Sequence, residues 1–118
     1  MDGVIAQQVA RGDALFFRGA TNPWCVRWTR QTQANGPFAP VDLSDWECVF
    51  EMLSPAGEVW YARPCDAHGP DGVAAVYIPP GAFAADVWQA RRQGSWRMRA
   101  SKDTVTEMLG CGYWLLTD

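Results

Sequence analysis

Residues 47–63, ECVFEMLSPAGEVWYAR, contain two strand-like segments joined by a short turn. In Glu47–Leu53, alternate residues are the apolar Cys, Phe and Met, and this spacing is typical of a strand with one buried face. Ser54–Gly57 fits a type I turn, with Pro at its second position and Gly at its fourth. Glu58–Arg63 then returns as the partner strand. This stretch therefore predicts a β-hairpin.

Similar strand and turn signals extend in both directions from the hairpin. Strands separated by such signals predict an all-β sandwich that forms a single domain over residues 1–118. Residues 1–10 are predicted to be an edge strand or an N-terminal arm. One short α-helix is predicted near residues 80–92, because Phe83, Val87 and Trp88 share one stripe. The other predicted strands are Ala14–Phe17, Trp24–Arg30, Val73–Ile78, Ser95–Ala100, Thr104–Leu109 and Gly112–Leu116.

The composition excludes several classes of protein. A net charge of −3 over 118 residues disfavours a nucleic-acid-binding surface, which needs clustered Lys and Arg. No stretch approaches the ~20 apolar residues of a membrane helix, and Met1–Ala10 lacks the features of a signal peptide. We therefore expect a protein made in a cytoplasm, with no membrane partner. Its four Cys are then expected to be free, buried thiols.

Residues capable of catalysis do not form a recognisable motif. His68 is the only His and forms, with Cys65, at most half of a metal site, so no metal and no cofactor are predicted. Glu47 and Glu51 would lie ~13 Å apart on one strand face, too far for paired-carboxylate glycoside chemistry, and are predicted to be solvated. The tripeptide Arg11-Gly12-Asp13 matches a cell-attachment motif but is better explained as a turn. We expect no enzymatic activity.

Seven Trp are many for this length, and some are candidates for a binding surface. Trp24 and Trp28 share a strand face about 13 Å apart, which suits either a sugar-binding groove or the wall of the core. Val26 between them is apolar, which favours the core. Trp46 and Trp60 are harder to place because each neighbours acidic or turn residues.

The order of the turn signals resembles the small immunoglobulin-like β-sandwich domains of tailed-phage virions, of the type that opens the baseplate upper protein of lactococcal phages. The resemblance covers nearly the whole chain and implies an antiparallel, immunoglobulin-like sandwich of about seven or eight strands. Such sequences often continue into a fibre or receptor-binding portion, whereas this sequence stops at Asp118. The matching motifs are Arg11-Gly12-Asp13, Pro40-Val41-Asp42-Leu43, Pro55-Ala56-Gly57, Asp71-Gly72, Ile78-Pro79, Gly94-Ser95-Trp96 and Glu107–Gly112.

The resemblance implies a structural virion protein, a tail or baseplate adaptor or a fibre-attachment subunit. Its expected partners are other phage structural proteins and copies of itself. A capsid decoration or head–tail junction protein is one alternative, and a carbohydrate-binding module is another. The N-terminal segment is expected to order against another chain. The residues predicted for a partner interface are Val4, Ile5, Gln7, Val9, Trp46, Trp60 and Tyr61.

Overall fold

The computed structural model describes residues 6–118. Strands account for 55% of the residues and helical segments for 7%, so the prediction of an all-β chain is confirmed. The strands are β1 (Ala6–Gln8), β2 (Ala10–Arg11), β3 (Ala14–Phe17), β4 (Asn22–Arg27), β5 (Thr29–Gln31), β6 (Ala39–Pro40), β7 (Glu47–Leu53), β8 (Val59–Pro64), β9 (Ala67–His68), β10 (Val73–Ile78), β11 (Gln93–Lys102) and β12 (Val105–Thr117).

The largest sheet has the strand order β2–β12–β11–β7–β8, and β3 also pairs with β12. β2 and β3 run parallel to β12, whereas the other pairs in this sheet are antiparallel. The two predicted C-terminal strands form one long strand, β12, with a register shift opposite Met98 and Arg99. The extra residue at such a bulge is left unpaired and bends the strand locally without ending it.

Two smaller sheets complete the described fold. One has the order β4–β10–β9, and its central pair aligns Ala74 with Val26 and Val76 with Trp24. The other has the order β1–β5–β6, so the described part of the N-terminal segment pairs with β5 of its own chain. No helical segment within residues 6–118 is long and apolar enough to cross a membrane.

The core lies between the β4–β10 pair and the largest sheet, and aromatic rings fill its centre. Trp24 of β4 meets Trp96 of β11 edge to face, with 5.2 Å between ring centroids. Phe16 of β3 contacts both Trp24 and Phe50 of β7. Aromatic pairs favour this edge-to-face geometry, which adds specificity to the burial of apolar area.

Two Gly-Trp pairs lie near one end of the β11–β12 ladder. Gly94 lies opposite Trp114, and Trp96 lies opposite Gly112. The Trp114 indole donates a hydrogen bond to the Leu53 carbonyl (3.0 Å), and the Trp96 indole donates one to Gly12 (2.8 Å). A Cβ on either glycine would overlap these carbonyls and the indoles beside them. The two Gly-x-Trp segments therefore need glycine for space.

The predicted hairpin over residues 47–63 is confirmed. β7 has the predicted bounds, and the Gly57 amide closes the turn by donating to the Ser54 carbonyl (2.9 Å). Leu43, in the loop before β7, is fully buried.

The predicted α-helix near residues 80–92 is not confirmed. That segment consists of two four-residue 3₁₀ turns, Pro80–Phe83 and Asp86–Gln89. Phe83 and Trp88 are buried as expected, but Val87 is exposed. The two 3₁₀ turns are enough to bury the Phe83 and Trp88 rings in the core, so a continuous helix is not needed.

Candidate interaction surface

The outer face of the largest sheet carries an exposed apolar patch, here called the Tyr113 patch. Its main residues are Tyr113 (70% exposed), Leu15 (54%), Leu115 (53%) and Phe17 (46%). Leu15 and Leu115 are direct neighbours in the β3–β12 ladder. Their side chains point outward because Ala14, Phe16, Trp114 and Leu116, at the alternate positions, point into the core.

A single row of side chains crosses four strands of this face through the patch. Tyr113 pairs with Ser95 of β11, Ser95 with Leu53 of β7, and Leu53 with Val59 of β8. A large ring therefore lies beside a small hydroxyl, which is followed by two aliphatic side chains. This row contains no charged residue.

Two grooves flank Tyr113. One, of ≈400 Å³, runs between Pro55 and Leu115 over a floor formed by Gly94 and Ser95. The other, of ≈490 Å³, is lined by Leu53 and Met108 and also by the charged residues Arg11, Asp13 and Arg97. Tyr113 lines both grooves and forms the ridge between them. The Tyr113 ring therefore projects from the surface between two grooves.

A compact ion-pair cluster borders the patch. Arg97 contacts both carboxylate oxygens of Glu51 (2.9 and 3.4 Å), and Arg99 approaches the same carboxylate at 2.7 Å. Glu51 is only 6% exposed, so the prediction that it is solvated is wrong. The two guanidinium groups cover it from the neighbouring strand. Glu47, at the start of β7, is exposed as predicted.

Among the described residues, those predicted for a partner interface lie in different parts of the fold. Val4 and Ile5 lie outside the described residues. The Gln7 backbone pairs with Arg30 of β5, and Val9 is exposed just before β2. The remaining three, Trp46, Trp60 and Tyr61, are partly buried.

The three predicted aromatic residues pack against core rings. Trp46 meets Trp28 at 5.8 Å, just before β7 begins. Trp60 meets Trp114 at 6.1 Å, next to the end of β7, and Arg91 covers its ring. Tyr61 contacts Phe83 at 5.8 Å. These rings close two ends of the core, and their role in a partner interface stays a prediction.

Trp24 and Trp28 face the core, as Val26 between them indicated. Trp28 is fully buried and Trp24 is partly buried against Trp96. All seven Trp lie in the described part of the chain, and none of them is classed as exposed. A sugar-binding groove lined by this pair is therefore not formed.

The predicted turn at Arg11-Gly12-Asp13 does not reverse the chain. Arg11 ends β2, β3 begins at Ala14, and both strands run parallel to β12. The Gly12 amide donates to the Cys111 carbonyl, and the Gly12 carbonyl accepts the Trp96 indole proton. The tripeptide is thus a break between two strand segments on one sheet edge.

The potentially reactive side chains lie apart from one another, and most of them are buried or hydrogen-bonded. His68 Nδ1 lies 2.8 Å from the Leu43 carbonyl and donates to it, since a carbonyl can only accept. Burial raises the pKa of the Cys48 thiol to about 11, and burial beside Cys48 and Asp66 raises the pKa of Cys65 to about 12. Within residues 6–118, no three His, Cys, Asp or Glu side chains gather as a metal site would require.

A second, smaller apolar surface lies on the outer face of the β4–β10 pair. Tyr77 is exposed beside Pro23. Cys25, which was predicted to be buried, is exposed beside Ala75. These residues border a shallow groove of ≈390 Å³. This face has one exposed ring, whereas the Tyr113 patch combines two exposed rings with two exposed Leu side chains, so we take the patch as the stronger candidate.

No protein-family model matches the sequence, and no curated protein matches it either.

The Tyr113 patch was not predicted from the sequence, although a signal for it exists. In Ala14–Phe17 and in Trp114–Leu116, apolar residues occupy both alternating positions, so one set has to lie on the outer face if the strands form one layer. The pattern does not reveal whether a second layer covers that face. Only the exposure of these side chains in the folded chain shows that the face is uncovered.

Proposed function

We propose that the protein is a structural virion protein of a tailed bacteriophage, a tail or baseplate adaptor or fibre-attachment subunit that acts through protein–protein assembly. The observation that carries the proposal is the Tyr113 patch: an exposed apolar surface held on a rigid sheet. Exposed apolar patches of this kind are typical of protein-interaction sites. The order of turn motifs that resembles phage tail domains supplies the link to a virion.

The proposal includes an immunoglobulin-like β-sandwich, which the strand order supports. Immunoglobulin domains pair strands B, E and D in one sheet and strands C, F and G in the other, and variable-type domains add C′ beside C. The order β4–β10–β9 corresponds to B–E–D, and β12–β11–β7–β8 corresponds to G–F–C–C′. The disulfide between strands B and F has no counterpart, because β11 contains no Cys. Core aromatic rings would take its structural role.

The proposal assigns no catalytic activity. Nucleophilic catalysis needs a nucleophile beside a base. In the described residues, the His68 ring is hydrogen-bonded to a backbone carbonyl, and the Cys65 sulfur lies 3.1 Å from Met98 sulfur. These contacts hold both groups in structural roles.

Mass spectrometry of purified particles tests the proposed role. We expect peptides of this chain in tailed particles purified from the host that carries the sequence, and in the tail fraction after heads and tails are separated. Recovery in the head fraction would favour the capsid decoration or head–tail junction alternative. Absence of the chain from particles that contain their other structural proteins would contradict both.

The carbohydrate-binding alternative has a separate test. Its remaining aromatic platforms in the described chain are the exposed rings of Tyr113, Tyr77, Phe17 and Phe38, of which Tyr113 is the most exposed. Titration of the protein with cell-wall polysaccharides should leave its intrinsic fluorescence unchanged if the assembly role is correct. A saturable change that the Tyr113→Ala variant abolishes would support sugar binding instead.

A further inference from the structure

We infer that Asn35 is a site of spontaneous deamidation, where the neutral side-chain amide is converted to a carboxylate through a cyclic imide formed with Gly36. The pair Asn35-Gly36 lies in the loop between β5 and β6, and Asn35 is exposed. The inference goes beyond the assembly role and does not depend on it, because it follows from the chemistry of one loop.

The loop holds Asn35 at a special position of a tight turn. The Gly36 amide donates to the Gln33 carbonyl (3.0 Å) and closes the turn, and Asn35 occupies its third position with a φ of 62°. A positive φ at that position is typical of a type II turn, which accepts Gly or Asn there. No hydrogen bond within the described chain holds the Asn35 side-chain amide. This amide is therefore both accessible to water and free to rotate.

The reaction needs only these two neighbouring residues and water. The Gly36 backbone nitrogen loses its proton to a base in solution and attacks Asn35 Cγ. A bond forms between this nitrogen and Cγ, the bond from Cγ to the side-chain nitrogen breaks, and ammonia leaves. Water then opens the imide at one of its two carbonyls, which gives either Asp or isoaspartate, whose main chain runs through Cβ and Cγ. No electrons are transferred in either step.

Gly36 makes the attack accessible. A side chain on the residue that follows Asn would crowd the approach of its nitrogen, and Gly has none. Gly also adopts a wide range of backbone angles, so the turn can rearrange once its closing hydrogen bond opens. Because that bond holds the attacking nitrogen in the folded chain, we expect the folded protein to react more slowly than the denatured chain.

Asn22, the other Asn of the sequence, is protected in each of these respects. It is only 5% exposed, its Nδ2 donates to the Phe17 carbonyl (2.9 Å), and its Oδ1 accepts the Phe17 amide (2.9 Å). The next residue is Pro23, whose nitrogen has no proton to lose. Asn22 therefore serves as an internal control for Asn35.

The products change both the charge and the shape of the loop. A carboxylate in place of the amide changes the net charge from −3 to −4. Isoaspartate also lengthens the main chain just before Gly36, whose amide donates to Gln33 and whose carbonyl accepts from Gln31 Nε2 (2.6 Å). The longer main chain should break at least one of these hydrogen bonds. Gly36 and Arg30 line the same groove of ≈460 Å³, so this groove should change as well.

Ageing of the folded protein tests the site. An ion-exchange peak with one extra negative charge should accumulate at least ~10-fold faster at pH 8 than at pH 6, because the attacking amide must lose its proton. Peptide mapping should find both Asp and isoaspartate at position 35 and leave Asn22 unmodified. Asn35→Gly, which suits the positive φ, should remove the acidic form.

Three results of the ageing experiment would overturn the proposal. One is an acidic form that persists in Asn35→Gly. Another is a folded protein that forms no acidic species by the time the denatured chain has been fully converted. The third is Asp without isoaspartate at position 35, since opening of an imide gives both.

Amide hydrogen exchange tests the change in the loop. In the purified isoaspartate form, the Gly36 amide should exchange faster than in the unmodified chain. The control is the Gly57 amide of the β7–β8 hairpin, which closes its turn in the same way by donating to Ser54 (2.9 Å) and should exchange equally in both forms. Unchanged exchange at Gly36 would contradict the expected loss of its hydrogen bond.

Discussion

At the scale of single residues, Gly94 and Gly112 are fixed by the indoles opposite them. Each indole lies across a backbone without a side chain and donates a hydrogen bond to a carbonyl on a neighbouring segment. The short motif Gly94-Ser95-Trp96 is visible in the sequence. Its pairing with the second motif, Gly112-Tyr113-Trp114, follows only from the β11–β12 register.

Gly94→Ala is therefore expected to destabilise the protein by about 3 kcal/mol. The new methyl group would overlap the Leu53 carbonyl and displace the Trp114 indole from its hydrogen bond. Urea unfolding followed by Trp fluorescence measures the change. Gly81→Ala is the control, because a Cβ there meets nothing within 4 Å and should change stability by less than about 0.5 kcal/mol. Equal effects at the two positions would contradict the steric argument.

Glu51→Gln is expected to cost about 1–2 kcal/mol. The substitution leaves Arg97 and Arg99 beside each other without their shared carboxylate, and the partial exposure of both guanidinium groups limits the cost. Glu47→Gln, at an exposed position of the same strand, should be nearly neutral. Denaturant unfolding in low and high salt measures both variants. A loss for Glu51→Gln that salt does not reduce would argue against an electrostatic origin.

The position of Glu51 shows where sequence reasoning stops at this scale. The alternation of apolar and polar residues in β7 correctly places the Glu51 side chain on the outer face, where exposure to solvent would be expected. Its burial depends on two Arg residues that lie more than forty positions later in the chain. Only the pairing of β11 with β7 brings them alongside.

At the scale of elements, Asp66 connects β8 to β10. Its carboxylate accepts hydrogen bonds from the Arg63 guanidinium (2.8 Å) and from the Tyr77 amide (2.7 Å). The Arg63 hydrogen bond, followed by the Tyr77 amide, lowers the pKa of Asp66 below its ordinary value. The carboxylate therefore holds the end of one sheet against the neighbouring sheet.

The stability that Asp66 contributes should depend on pH. Because its pKa is lower in the folded state than in the unfolded state, the contribution is complete above the unfolded value near 4. It is lost as pH falls through the folded value. Asp66→Asn should therefore be less stable than the unmodified chain at pH 6, by at most about 1 kcal/mol. The difference should shrink at pH 3 in thermal unfolding experiments, and a difference that grows on acidification would refute this assignment.

The elements themselves were largely predictable from the sequence. β7 and β10 have the predicted bounds because both begin and end at clear turn signals. The region after Pro79 was predicted as an α-helix because the spacing of Phe83 and Trp88 suits a helical stripe. Two 3₁₀ turns present the same two rings to the core, and residue spacing alone does not distinguish these solutions.

At the scale of the whole molecule, the core-facing side of the strands could be inferred from the sequence, but their outer surfaces could not. Alternation identifies one face of each strand as apolar, and that face forms the core. The Tyr113 patch arises because β3 and β12 are apolar on both faces and also lie side by side. The apolar character of both faces can be read from the sequence. The side-by-side position follows only from the parallel pairing of two segments that are distant in the chain.

The alkylation rates of the cysteine thiols should report how often the core opens to solvent. At pH 8, Cys25 is exposed and should be alkylated at least ~100-fold faster than Cys48, which is buried and has a pKa raised to about 11. Peptide mapping by mass spectrometry after timed iodoacetamide labelling measures the rates. In denaturant the two rates should converge. Rapid labelling of Cys48 under native conditions would mean that the core opens far more often than its packing implies.

The parallel pairing of β2 and β3 with β12 also has a mechanical consequence. Ala10 lies beside Gly110, and Phe17 lies beside Thr117, so the first of these strands starts at one end of the sheet edge and the last strand finishes at the other. Tension applied between residue 10 and residue 118 therefore loads this edge in shear. Its hydrogen bonds share the load and must rupture together, whereas a hairpin pulled from its open end unzips one bond at a time.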